Sequence, residues 1–225
     1  MARVIPALVV LIAVGVAVAG WMHWRDQPAP VTAAGSPGYD HARQLLGDLP
    51  VKGWDRHTDF SRYRFGEAWS DDVDVEFGHN GCNTRDDILR RDLRDVVVRP
   101  GTCCAQRGVL LDPYTGATIT YERGPDTSDA VQIDHLVSLS DAWYKGAREW
   151  EDQRRRDFAN DPRNLLAVGA KANFDKAFRD AAGWLPPDGG FRCEFVSRQV
   201  EVKAVYRLWV SANEKRAMAD VLEDC

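Results

Sequence analysis

Apolar positions in this chain recur at two periods, near two and near 3.6 residues, and the switches between them mark out its elements. Thr84-Arg85-Asp86-Asp87-Ile88-Leu89 opens a helix that runs to about Leu93, with Thr84 as its cap and Asp87 complementing the N-terminal dipole. Val96-Val97-Val98 reads as a strand stopped by Pro100-Gly101. Gly108 to Leu111 and Ala117 to Tyr121 flank Asp112-Pro113-Tyr114-Thr115-Gly116, a turn with proline preset for its first corner and glycine at its end. Together they predict a β-hairpin. Ala130 to Asp134 is a third strand, which delivers Asp134 and His135 to a strand end facing a cleft.

The second half is mostly helical. Ser140 can cap a helix beginning at Asp141, along which Trp143, Ala147 and Trp150 fall at helical spacing. Arg154 to Asn160 continues as helix and ends before Asp161-Pro162, because the residue preceding proline avoids the α region. Asn164 to Val168 is a short strand, Lys171 to Ala182 a helix, and Trp184-Leu185-Pro186-Pro187 a break. Val196, Val200, Ala204, Leu208 and Trp209 mark a long amphipathic helix, and Ser211-Ala212-Asn213-Glu214 is a capping box for a final one. The class is α+β, with more helix than strand.

Ahead of these elements, Val4 to Met22 is an uncharged apolar run behind Arg3. A spanning helix needs about 20 apolar residues and a signal-peptide core about 7–15, so the run suits either. Ala17-Val18-Ala19 offers a small-residue cleavage pattern, whereas the Trp21-Met22-His23-Trp24 flank suits an uncleaved anchor attached to the membrane through residues 4–22. Residues 1–25 are therefore a signal peptide or a membrane anchor. Both place the remainder outside the cytoplasm. Residues 26–38, with Pro28, Pro30 and Pro37, form a linker without apolar periodicity. Residues 39–225 are within the size of one domain.

Five cysteines in a chain sent to an oxidising compartment predict two disulfides and one spare thiol. Cys193 with Cys225 would tie back the C-terminus, and Cys82 with either Cys103 or Cys104 would close the loop around the first basic helix. None has the Cys-x-x-Cys spacing of a zinc site. The net charge of −5 argues against a generally adhesive nucleic-acid binder. Arginine is nevertheless grouped at Arg85, Arg90, Arg91, Arg94 and Arg99, and again at Arg154, Arg155 and Arg156, interleaved with acidic residues as on solvated helix faces.

Strand, strand and helix, with Asp134-His135 on the first strand, Asn164 opening the second and Asn173 and Lys176 on the helix, resemble the ββα-metal finger of HNH nucleases. The spacing from Asn164 to Asn173 is similar to that in the HNH domain of CRISPR effector nucleases. Longer matches extend the similarity: Arg62, Phe65-Gly66, Trp69, Gly81-Cys82-x-Thr84-Arg85-x-Asp87-Ile88-Leu89, Asp112-Pro113-Tyr114-Thr115-Gly116, Gln132-Ile133-Asp134-His135, Phe158-Ala159-Asn160-Asp161-Pro162 and Trp184-Leu185-Pro186-Pro187. These resemble extracytoplasmic HNH-family proteins of actinobacteria, grouped with the C-terminal nuclease domain of GmrSD-type modification-dependent restriction enzymes.

The resemblance implies a metal-dependent endonuclease acting on DNA or RNA, with a ββα-metal core beside the hairpin and flanking helices. His135 would be the general base. Asp134 and Asn173 would hold one divalent ion, Mg²⁺ or Mn²⁺ from the oxygen-only donor set, and Asn164 would tether the loop backbone and orient His135. Arg85 would contact substrate phosphate, its alternative being an ion pair with Asp86 or Asp92. Lys176 would reach a phosphate or stay solvated. The competing reading is a non-catalytic extracytoplasmic binding domain that keeps the finger for folding.

Overall fold

The computed structural model describes residues 38–55 and 59–225, so the leader and nearly all of the linker lie outside the described residues. No described helix is long and apolar enough to cross a membrane. Tyr39–Cys225 forms one compact unit. Its helices are α1 (Asp40–Asp48), α2 (Thr84–Asp92), α3 (Leu139–Tyr144), α4 (Asp152–Asn160), α5 (Ala170–Lys176), α6 (Arg192–Tyr206) and α7 (Ala212–Glu223). Strands β1 (Arg94–Val98), β2 (Ala105–Leu111) and β3 (Thr118–Glu122) make an antiparallel sheet in that order. Strands β4 (Val131–His135) and β5 (Leu165–Gly169) pair antiparallel by themselves.

β5 is buried at all five positions, and its alternation sends side chains to two cores. Leu166 and Val168 join Tyr114, Leu136, Phe195 and Val200, while Leu165 and Ala167 join Ile88, Leu89, Tyr121 and Ile133. A third core gathers Phe65, Val137, Trp143, Phe158, Tyr206 and Leu208. The strand is thus covered on both faces, and α5 follows it directly and packs on both β4 and β5. The observed class is mixed α+β, with two small sheets and seven helices among the described residues.

Several boundaries move, each for a local reason. The cap of α2 is Asn83, whose side chain accepts from the Asp86 amide at 2.9 Å; Thr84 lies inside the helix and donates its hydroxyl to the Ser70 carbonyl. Ser138, not Ser140, caps α3, and that helix stops at Tyr144 because Gly146 sits at φ 129°. Trp143, Ala147 and Trp150 still meet in one core, through a 3₁₀ turn at Ala147–Glu149. α5 ends at Lys176 rather than near Ala182, since Ala177 turns to φ 51°. The capping box on α7 is present, with Ser211 and Glu214 bonding each other's backbone amides.

Cys82 is bonded to Cys103 and Cys193 to Cys225, leaving Cys104 free. The bridges close segments of 21 and 32 residues. Closures of that length are worth about 3–4 kcal/mol each in the chain-entropy account.

Candidate active site

Consecutive residues on a strand face opposite ways, so Asp134 and His135 leave the end of β4 on different sides. Gln132 and Asp134 face α5, where the Asn173 amide donates to Gln132 Oε1 at 2.8 Å and the Lys176 ammonium reaches Asp134. His135 faces the other way and stacks on Trp69, with ring centroids 5.9 Å apart. A cleft of about 390 Å³ opens across this strand end, with Asp134, His135, Asn173, Arg85, Arg62 and Gln132 among its walls. Four residues anticipated from the sequence, His135, Asp134, Asn173 and Arg85, therefore share one cavity.

His135 is 6% exposed, and its Nε2 lies 2.8 Å from the Ala159 carbonyl at the end of α4. A carbonyl can only accept, so Nε2 carries the proton and Nδ1 keeps its lone pair. Burial, with the Arg62 charge adding to it and the Ala159 carbonyl opposing, pushes the imidazole down to about 3. The ring is thus neutral at ordinary pH. Trp69, which backs it, is held at φ 61°, a left-handed conformation that costs a bulky residue about 1–3 kcal/mol.

Asn164 is fully buried and clamps the loop that follows His135. Its Oδ1 accepts from the Val137 amide at 2.8 Å, its Nδ2 donates to the Val137 carbonyl at 3.2 Å, and its own carbonyl accepts from the Leu136 amide at 2.8 Å. Since His135 pairs with Leu165 across the sheet, the clamp fixes the backbone on both sides of the imidazole.

Asp134 is 6% exposed, and its inner side is already engaged. Lys176 lies 3.1 Å from Oδ1 and 3.0 Å from Oδ2, and the Tyr114 hydroxyl donates to Oδ2 at 2.5 Å. Burial raises this carboxyl above its ordinary range, with Lys176 and Tyr114 pulling the other way. Burial and Asp134 raise the Tyr114 hydroxyl well above its usual value, so it stays a donor. Lys176 is fully buried and also donates to the His135 carbonyl at 2.8 Å. Its ammonium is committed inward, not solvated or presented to a phosphate as the sequence suggests, because α5 ends at this residue with its side chain reaching Asp134 and the His135 carbonyl.

The donor set suits a hard divalent cation. Because Asn173 Nδ2 donates to Gln132, its oxygen is the other amide atom, and no described residue donates to it. The Asp134 carboxylate, with about four acceptor sites, retains capacity toward the cleft. Among the described residues the cleft wall offers neither a thiol nor a second imidazole, a set that suits zinc less well than a hard cation.

A second acidic group, Asp141, Asp180 and Glu214, brings its oxygens within 4.8 Å of one another. It is an ion-pair core. Lys145 lies 2.5, 2.8 and 2.7 Å from the three carboxylates, and Lys203 lies 2.7 and 2.9 Å from Asp141 and Glu214. Burial alone would raise the Asp141 carboxyl, yet Lys203 and Lys145 together hold it below its ordinary range. The two ammonium groups occupy the place a cation would take.

Arg85 pairs with neither Asp86 nor Asp92. Its guanidinium donates to the Val131 carbonyl at 3.0 Å, Asp86 is taken by Arg123, and Asp92 by Arg91. Among the described residues no carboxylate lies within ion-pairing distance of it, though Asp129 shares the cleft wall. Sequence reasoning assigned no role to Arg62, Trp69, Tyr114 or Gln132. Their signal was membership of the shared motifs; a buried tyrosine inside a turn runs against the rule that turns are exposed. The turn itself buries it, since Asp112 accepts from the Tyr114 and Gly116 amides and folds the loop inward.

Residues 83–221 match the family described as GmrSD restriction endonucleases, C-terminal domain. An uncharacterized secreted protein of Arthroderma benhamiae is 36% identical over 201 residues, covering 88% of this chain and 92% of its own length. No solved structure matches the chain.

Proposed function

The chain belongs to the family of the GmrSD restriction endonuclease C-terminal domain, and from that premise we propose that it is an HNH-type endonuclease working outside the cytoplasm. β4, β5 and α5 supply the strand, strand, helix order of a ββα-metal finger, within a domain spanning residues 39–225. The observation that carries the reading is the Nε2 to Ala159 contact of His135, which leaves a neutral imidazole whose Nδ1 keeps its lone pair, on a residue that shares a cleft with Asp134, Asn173 and Arg85.

In this reading His135 Nδ1 takes a proton from water as the water oxygen bonds to phosphorus. The bond from phosphorus to the 3′ oxygen breaks, and solvent protonates the leaving oxygen. A positioned base of this kind is worth about 10²–10⁴ in rate. Asn164 keeps His135 aimed by fixing the Val137 backbone, and Lys176 and Tyr114 hold Asp134 in one orientation. Arg85 and Arg62 offset phosphate charge from the cleft walls. Mg²⁺ or Mn²⁺, held by Asp134 and the Asn173 amide oxygen, would supply charge stabilisation at the scissile phosphate.

The apolar run at residues 4–22, two disulfides and a relative described as secreted support an extracytoplasmic site of action. Purified protein is expected to cut DNA or RNA with Mg²⁺ or Mn²⁺ and to stop with EDTA. His135→Ala is expected to abolish cutting with its circular dichroism unchanged. Full activity in that variant would overturn the assignment and leave the binding-domain reading.

A further inference from the structure

Beside the cleft lies a second cavity of about 300 Å³, and the two share Arg62, Trp69, His135 and Leu139 as walls. The chemistry changes across that shared wall. The cleft is lined mainly by amides, carboxylates and guanidinium groups, whereas the second cavity is lined mainly by Phe65, Ala68, Trp69, Leu139 and Ala159, with Glu67 at its wall. Asn160 also borders it, and the Asn160 Oδ1 is buried with no donor. An apolar cavity joined to a wall that carries Arg62 and Arg85 has the layout of a nucleotide: a base on one side and its phosphate on the other.

Exposed aromatic side chains give an independent observation. Among the described residues, the most exposed large hydrophobic side chains are Tyr63 at 92%, Phe174 at 83% and Phe178 at 63%. Each is the chain neighbour of a cleft-wall residue, Arg62, Asn173 and Ala177 respectively. Aromatic rings exposed at three positions next in sequence to cleft-wall residues are free for something to stack on them. Every nucleobase has a π-face, and stacking on aromatic side chains is how single strands are gripped without sequence preference. A duplex hides those faces inside its stack and offers none to Tyr63, Phe174 or Phe178.

Resting on the nuclease reading, we propose that the substrate is single-stranded or locally unpaired nucleic acid, with the base next to the scissile phosphate seated in the Trp69 cavity and neighbouring bases stacked on Tyr63, Phe174 and Phe178. Arg62, on the wall common to both cavities, then sits between base and phosphate. The base enters by its edge, so it must be unpaired.

The test uses the full chain and a short oligonucleotide in which one phosphodiester is cleavable and the other linkages are methylphosphonates. An abasic residue on the flanking nucleoside is expected to lower kcat/KM roughly 5- to 150-fold, the range for loss of one base–aromatic stack. Ala68→Phe fills the cavity from an exposed position; it should lower kcat/KM similarly on the intact oligonucleotide and not further on the abasic one. Equal cleavage of intact and abasic substrates, or of single strand and matched duplex, overturns the proposal. A binding arm separates this from the nuclease reading: His135→Ala protein should bind labelled single strand more tightly than duplex by fluorescence anisotropy, and Phe174→Ser with Phe178→Ser should weaken it. If nothing is cut, the nuclease reading fails, and the same anisotropy measurement on Ala68→Phe, expected to weaken single-strand binding, still decides the base subsite.

Discussion

The most informative perturbation is protonation of His135, because it reads out in stability without any assumption about catalysis. In the folded chain the imidazole is pushed down to about 3 from an ordinary 6.5, with burial the larger cause and Arg62 the second. Between those values the unfolded chain binds a proton that the folded chain does not. Stability contributed by this group is therefore complete above the unfolded value and is lost as pH falls through the window toward about 3. Each pH unit inside the window is worth about 1.4 kcal/mol. Lowering pH from about 7 to about 4 should then remove roughly 3 kcal/mol through His135 alone.

Carboxylates also titrate on that path, so the measurement is a difference. His135→Gln keeps an amide donor for the Ala159 carbonyl and cannot titrate, and urea unfolding of both proteins at each pH isolates the histidine. The wild type should lose about 3 kcal/mol more than the variant across that interval. Parallel pH profiles would refute a buried imidazole held neutral by its surroundings. Activity gives a second reading of the same proton. A bound phosphodiester offsets the Arg62 charge and favours the imidazolium, so the acid limb of kcat should lie at higher pH than that of kcat/KM.

Three further outcomes follow from individual contacts. Asn164→Ala leaves the amide and carbonyl of Val137 unpaired in the core, a cost of about 1–3 kcal/mol for each group, and should cut activity far more than Asn164→Asp, which keeps the acceptor; equal urea midpoints for Asn164→Ala and wild type would contradict this. Tyr114→Phe removes the hydroxyl from Asp134 and should cost about 1.5–3 kcal/mol by thermal or urea denaturation, with a rise in the Asp134 pKa visible by carboxyl NMR. Lys145→Met strands three carboxylates on one remaining ammonium and should destabilise by about 3–5 kcal/mol; stabilisation of that variant by Mg²⁺, but not of the wild type, would show that the acidic group binds cations only when its lysine is gone.

What the sequence made legible was whatever depends on local periodicity. The strand of Asp134, the buried strand after Asn164 and the capping box at Ser211 are set by nearby residues and appear where the pattern places them. Residues whose positions depend on distant chain segments were harder to read. Lys176 reads as an exposed helical lysine because its partner, Asp134, is 42 positions away. Arg62 belongs to a 3₁₀ turn with no apolar period, and Trp69 to a loop held in a left-handed conformation that no propensity anticipates. The helix caps slipped by one or two residues because Asn83 and Ser138 compete with the neighbouring Thr84 and Ser140 for the same role, and tertiary contacts chose between them.

The distribution of charge explains how a chain of net charge −5 can address a polyanion. Most acidic groups near the fold's centre are neutralised in place: Asp141, Asp180 and Glu214 by Lys145 and Lys203, Asp86 by Arg123, and Asp161 by Arg163. Asp134 is treated the same way by Lys176, while Arg85 and Arg62 line the cleft without an ion pair among the described residues. With Asp134 balanced, the cleft wall sets Arg62 and Arg85 against Asp129, a net positive lining that favours phosphate over a free cation. A divalent ion approaching Asp134 meets a carboxylate already balanced by an ammonium, so its binding gains most from the negative charge the nucleic acid brings. Cation and substrate should accordingly strengthen each other's binding by the same factor, as linkage requires. With few cationic groups committed to phosphates, affinity should depend only shallowly on salt, leaving the aromatic rim to supply the grip that charge does not.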